Sequence, residues 1–214
     1  MAQECYEQAV KFSLQPEFFK AINGHDSESH YSSTGIKRLG KFKKNRLGVT
    51  GCFFSHYYLW KKCVTLNEPI IILEHDGYVI RNITSDLLDT FNDVLKLDRL
   101  DPFSVNYNEK IEKEKNVEIR VTDYKYNNHK VLKVGLGDYF KGAYSYIIKP
   151  QGAKKIIQHI KINGHRPADQ QINSSIVELK TTVPTVARLH PFYSIGNNIN
   201  SASLTKHLGK FNED

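Results

Sequence analysis

No apolar stretch in the 214-residue chain approaches the ~20 residues needed to span a bilayer, so a transmembrane segment is not expected. The opening MAQECYEQAVKFSL is polar and amphipathic, without the charged-then-apolar order of a secretory signal. Cysteine is scarce, with three residues at positions 5, 52 and 63, an odd number without metal-type spacing. That excludes a disulfide framework and reads as reduced, partly buried thiols in a soluble protein of the cytoplasm. Internal repeats and low-complexity tracts are absent as well.

What is present is enough apolar material for one core. With 40% hydrophobic and 11% aromatic residues, the chain reads as a single domain over residues 1–195 and a tail over 196–214 rich in Asn and Ser. The formal charge of +7 is uneven. Lys37, Arg38, Lys41, Lys43, Lys44 and Arg46 form a run without an acid, whereas residues 109–130 mix Lys and Glu and read as a solvated insertion. The basic run is either solubilising or a contact for nucleotide phosphate, an anionic glycan or DNA. No nucleic-acid recognition motif accompanies it.

In chain order, residues 2–14 have helical spacing up to Pro16, and EFFKAI (17–22) reads as a short strand. Asn23, Gly24 and Asp26 follow it, at a strand end where open α/β sheets bind ligands; an ordinary turn is the equal alternative. Residues 48–67 read as a helix capped by Thr50 or Gly51. Its neighbours Ser55 and His56 invite a catalytic pairing, but adjacent helical residues diverge, so His56 reads rather as a hydrogen-bonded histidine at the core edge. SDLLDTFNDVLKL (85–97) has helical periodicity, and residues 101–107 and 130–134 read as strands. Tyr144, Tyr146 and Ile148 alternate as in a half-buried strand, after which Pro150 opens a helix. Gly142 either lets backbone approach a ligand or makes a turn. A last helix is expected from Pro167, with Asp169 in its first turn as an N-terminal carboxylate. Strands alternating with helices indicate an α/β fold.

The most informative stretch is PIIILEHDGYVI (69–80). Four aliphatic residues end in Glu74, His75 and Asp76, and strand alternation would put the two carboxylates on one face. Paired carboxylates at the tip of an apolar strand call for a positive partner, and a divalent metal holding a phosphate fits.

Taken together, GVTGCFFSHYYLWKKC, IIILEHDG, KGAYSYIIKPQGAKKII and RPADQQI, in this order, resemble the lipooligosaccharide-type glycosyltransferases of family 25. AINGHD (21–26) is similar to the segment that precedes them in that family. The resemblance implies a GT-A-like, Rossmann-like single domain with a central mixed sheet flanked by helices. It also implies transfer of a sugar from a nucleotide-sugar donor to a hydroxyl of a glycan, lipopolysaccharide or other anionic acceptor, with inversion. By the same resemblance Asp76, with Glu74, would hold Mn²⁺ or Mg²⁺, and Asp169 would be the catalytic base. Asn23, Gly24, Ser55, His56, Glu74, His75, Gly142 and Tyr144 would surround the donor nucleotide. His75 stands where the family carries Asp, and the chain begins within the helix that follows the family's first strand. An anionic acceptor, lipopolysaccharide or modified DNA, fits the basic run as its guide, and the short chain with its departures from the bacterial pattern suits a compact phage or viral enzyme acting in the host cytoplasm. An inactive sugar- or nucleotide-binding module and a basic nucleic-acid-binding protein are the alternatives.

Overall fold

Side chains along β1 (Ile70–Leu73) alternate between two apolar cores, and the rest of the sheet repeats that division. The computed structural model describes residues 1–38, 46–100, 106–125, 138–140 and 142–194. Besides β1 it contains β2 (Gly77–Val79), β3 (Val94–Lys96), β4 (Arg120–Asp123), β5 (Ser145–Ile148), β6 (Leu179–Val183) and β7 (Ala187–Leu189). Five of these form a mixed sheet in the order β1-β5-β3-β6-β4, while β2 pairs with β7. The chain is thus α/β and Rossmann-like, a central mixed sheet with helices against it. β5 runs antiparallel to both β1 and β3, and β3 is parallel to β6, so β1, β3 and β6 point the same way. Glu74 and Asp98, each just past a strand, therefore come out at one edge.

Ile72, Val94, Tyr146, Ile148 and Leu179 face α3 (Leu47–Leu66) and α5 (Pro150–Asn163), against Phe53, Phe54, Tyr57, Trp60, Ala153, Ile156 and Ile160. Leu95 and Ile147 face the other way, where Val79, Leu87, Phe91 and Ala9 of α1 (Ala2–Lys11) complete a second core. Residues 21–24 cross the start of α3 with no space to spare. A Cβ on Gly24 would lie 1.9 Å from the Leu47 carbonyl oxygen, and one on Gly51 would lie 2.5 Å from that of Ile22. Two glycines in contact are what let these backbones meet.

Several expectations need correction. Residues 17–22 form no strand: Phe18 and Phe19 are exposed, and the Ile22 N–H goes to the Ser55 hydroxyl rather than to a sheet partner. Thr50 and Gly51 lie inside α3, whose N-cap position is Arg46. Residues 85–97 are not one helix but a 3-10 turn, Ser85–Thr90, followed by β3. Val94 and Leu95 are buried in opposite cores, which a central strand permits, and periodicity alone does not separate such a run from a buried helix. The segment read as a solvated insertion holds the helix α4 (Tyr107–Lys113) and the edge strand β4, paired with β6. β5 is buried on both faces rather than half-buried, because it lies between β1 and β3. The helix expected from Pro167 is a single turn, α6 (Ala168–Gln171). Asn173 ends it, its side chain bonding the Gln170 carbonyl and the Ser175 N–H. The 130–134 strand, most of the 101–107 strand, Lys41, Lys43, Lys44 and the 196–214 tail lie outside the described residues.

Between α3 and the start of α6, His165 is fully buried, its Nδ1 2.8 Å from the hydroxyl of Tyr31 on α2 (Ser27–Thr34) and its ring centre 4.6 Å from that of Phe53. Burial, helped by the Arg38 charge, lowers its pKa from 6.5 to about 4. The unfolded chain therefore takes the proton first. The stability His165 contributes is whole above pH 6.5 and drains away as the pH falls toward about 4, by at most about 3 kcal/mol. We expect the stability gap between the parent and His165→Gln to narrow over that window. Urea unfolding at stepped pH measures it, carboxylates common to both proteins cancelling; a gap that ignores pH contradicts the assignment.

Candidate functional site

The strand β1 ends at Leu73, and Glu74 to Gly77 form a turn closed by the Gly77 N–H on the Glu74 carbonyl at 2.9 Å. Glu74 and Asp76 thus do not alternate as in a strand; each goes its own way. The turn is clamped from two sides, with Glu74 N–H donating to the Tyr144 carbonyl (2.9 Å) and His190 N–H to that of Asp76 (2.7 Å). Gly77 is required here, because a Cβ would lie 2.3 Å from the Tyr144 carbonyl oxygen.

Glu74 reaches α3. Its Oε1 is 2.9 Å from Nε2 of the buried His56 and 3.8 Å from Sγ of Cys52, which precedes His56 by one helical turn. On its other side, His56 Nδ1 is 2.7 Å from the Tyr146 hydroxyl, which also accepts from Trp60 Nε1 at 2.9 Å. A carboxylate only accepts, so Nε2 carries the proton that Glu74 receives. A neutral ring then accepts at Nδ1 from Tyr146, leaving the phenol oxygen for Trp60. The result is a directional relay from Trp60 through Tyr146 and His56 to Glu74. Burial works against the Glu74 charge, but the His56 hydrogen bond, reinforced by positive charge on His56 and His75 whenever those rings are protonated, outweighs it and holds the pKa below the ordinary value.

Asp76 is the opposite case. It is 4% exposed, and its Oδ1 has no hydrogen-bond partner. Burial and the negative charge of Glu74 push its pKa up to about 6, with the exposed His75 offsetting part of the rise. Asp169, half-buried on α6, accepts the Gln170 N–H at 2.9 Å. Its pKa also rises to about 6, through burial against the Gln170 bond, then through Glu74, with His56 opposing. Cys52 feels the charges of Glu74, Asp169 and Asp76. Cys52, His56 and Glu74 are thus in direct contact, and Asp76 and Asp169 lie near enough for their charges to reach Cys52, which gives the end of β1 an acidic surrounding.

The other expected residues stand around it in different ways. Ser55 Oγ accepts the Ile22 N–H and donates to the Gly51 carbonyl, fixing the 21–26 segment on α3. Asn23 Oδ1 caps the His25 N–H, and Gly24 is the close contact with Leu47. Gly142 has a φ of +78° and leads into Tyr144. The Tyr144 hydroxyl turns away to buried Asp98, which also accepts from Tyr107 (2.6 Å) and Thr185 (3.0 Å), beneath the Lys96 ammonium lying 4.7 Å from the Tyr144 ring centre. Sequence reasoning missed Cys52, Tyr146 and Trp60 as members of the site. The Cys52–His56 interval of four was the one available sign; Tyr146 is 90 residues from His56 and carries no local signal.

A mixed α/β sheet with buried carboxylates just past the ends of strands that run in one direction is an arrangement in which α/β domains bind ligands. Its family is now specific. The chain belongs to glycosyltransferase family 25 (LPS biosynthesis protein), whose pattern matches residues 1–172. It is also similar to a glycosyltransferase 25 family member of Aedes aegypti, 35% identical over 74 residues, a stretch that is 31% of this chain and 12% of that relative. Among the described residues no helix is long and apolar enough to cross a membrane.

Tyr146→Phe removes one oxygen and strands both the Trp60 N–H and His56 Nδ1 in the core. The expected cost is about 1–3 kcal/mol, read as a lower thermal midpoint. A midpoint equal to the parent's would mean that the relay does not hold the site.

Proposed function

We propose that this chain transfers a sugar from a nucleotide-sugar donor to an acceptor hydroxyl, with inversion, at the pocket formed by Glu74, Asp76 and Asp169. The observation that carries the reading is the contrast between two neighbouring carboxylates. Glu74 has its Oε1 engaged by His56, whereas Asp76 is buried with a bare oxygen. An unpartnered buried carboxylate oxygen costs free energy unless a cation meets it, so the donor set fits a hard divalent ion. Mn²⁺ or Mg²⁺ would sit on Asp76, with Glu74 as the nearer reserve, and when bound would neutralise charge on the donor diphosphate.

The residues then divide the work. Asp169 takes the proton of the acceptor hydroxyl as its oxygen bonds to the anomeric carbon; the bond from that carbon to phosphate breaks, and the nucleoside diphosphate leaves. His56 keeps Glu74 ionised and in place, so that the negative charge of the pocket does not depend on the donor. Asn23 and Gly24, held by Ser55, and the Gly142–Tyr144 backbone border the pocket and would contact the donor. The basic run from Lys37 to Arg46 would draw an anionic acceptor such as lipopolysaccharide, raising its encounter rate at low salt.

Two variants test the assignment. With Mn²⁺ and a panel of nucleotide sugars, nucleotide release is expected from the parent and reduced more than about 100-fold in both Asp76→Ala and Asp169→Asn. A base must be deprotonated to act, so kcat/KM should climb as the pH rises through about 6, the pKa of Asp169, and level off above it. Turnover untouched in Asp76→Ala, or no stabilisation by any donor with or without metal, would sink the reading.

A further inference from the structure

The Cys52 thiol has no part in the transfer chemistry, yet it lies in the same pocket. Cys52 and His56 are four apart on α3 and so stack on one face of the helix, opposite Glu74 at the end of β1. Their ligand atoms all lie within 4.8 Å of one another. A tetrahedral Zn²⁺ with bonds of ~2.3 Å to sulfur and ~2.0–2.1 Å to nitrogen and oxygen spaces its ligand atoms ~3.3–3.6 Å apart. The observed separations from Glu74 Oε1 are 2.9 Å to His56 Nε2 and 3.8 Å to Cys52 Sγ, each within a few tenths of an ångström of that spacing, and the third, Cys52 Sγ to His56 Nε2, lies within 4.8 Å and closes by a side-chain rotation.

From this placement we infer that Cys52, His56 and Glu74 form a binding site for a thiophilic divalent ion of the Zn²⁺ class, chemically distinct from an oxygen-only ion at Asp76. Sulfur and imidazole select Zn²⁺ over Mn²⁺ or Mg²⁺, which prefer carboxylate and water. Burial first, then the negative charges of Glu74, Asp169 and Asp76, push the Cys52 thiol well up, so the proton is given up only to a cation that takes its place, and the same charges favour a dication there. A support for the imidazole is already built: Tyr146 at Nδ1, itself held by Trp60, fixes the ring with Nε2 toward Glu74. On binding, the ion replaces the thiol proton, which leaves to solvent. The ring changes tautomer, its one proton passing from Nε2 to Nδ1 so that the Nε2 lone pair meets the ion, and the Tyr146 hydroxyl turns its own hydrogen away and accepts from Nδ1–H instead of donating to it. Glu74 then exchanges its hydrogen bond for a metal bond. This site does not depend on the transferase reading.

Cobalt reports the ligand set directly. The full-length, metal-stripped chain titrated with Co²⁺ should show a thiolate-to-cobalt charge-transfer band in the near ultraviolet that Zn²⁺ displaces. In Cys52→Ala the band should vanish, and Zn²⁺ affinity by chelator competition should fall about tenfold or more. Cys63→Ala, which changes a thiol elsewhere in the core, should keep both, with circular dichroism confirming the fold of each variant. Should Cys52→Ala not fold, Glu74→Gln decides by the same loss of Zn²⁺ affinity. A parent without the charge-transfer band, a band that survives in Cys52→Ala, or Zn²⁺ affinity unchanged in the folded variants overturns the inference, whether or not the chain transfers sugar.

Discussion

A carboxylate at the end of a buried strand keeps its charge only where a donor meets it, and in this chain that donor is the His56 imidazole. The bond from His56 to Glu74 is the last link of a relay whose other members are the sheet, through Tyr146, and the packed face of α3, through Trp60. Tyr146 and Trp60 are in the same apolar core with His56 beside them, so Glu74 is registered to the sheet through two buried hydrogen bonds and a third that is part-buried. Loosening any member would move the charge as well as the packing.

Around that relay, close backbone contacts do the rest of the positioning. Gly51 and Gly24 let the 21–24 segment lie on α3, and Ser55 ties it there through Ile22; Gly77 lets the turn after β1 press against the Tyr144 carbonyl. Two segments distant in sequence, 21–24 and 74–77, are thereby held against α3 and the chain leading into β5. The charge around the end of β1 is unbalanced: Glu74 is answered by His56, while Asp76 and Asp169 are buried or half-buried with no cationic side chain bonded to either among the described residues. A surrounding built this way is suited to receive a cation, and the two donor sets it offers, oxygen at Asp76 and sulfur, nitrogen and oxygen at Cys52, His56 and Glu74, differ in which cation they prefer.

Much of the fold was legible along the chain. The helix of 48–67 is found at Leu47–Leu66, Pro150 opens α5, and Ile70–Leu73 is a strand. The errors share one cause. Short segments such as 17–22, 94–96 and 120–123 carry too few residues for periodicity to choose among strand, helix and loop, and pairing with distant chain settles the matter. The family was legible too, because its motifs are local.

The sequence by itself determined the α/β class, the carboxylates at the end of the first strand and the family to which the chain belongs, since each is written in neighbouring residues. Only the tertiary structure decided which carboxylate is paired and which is bare. Glu74 and Asp76 are two residues apart and chemically alike, but Glu74 meets an imidazole from a helix 18 residues away, while Asp76 is buried with its Oδ1 unpartnered. That difference arises from the turn after Leu73 and from the distance over which Tyr146 and Trp60 were brought together, neither of which a local pattern encodes.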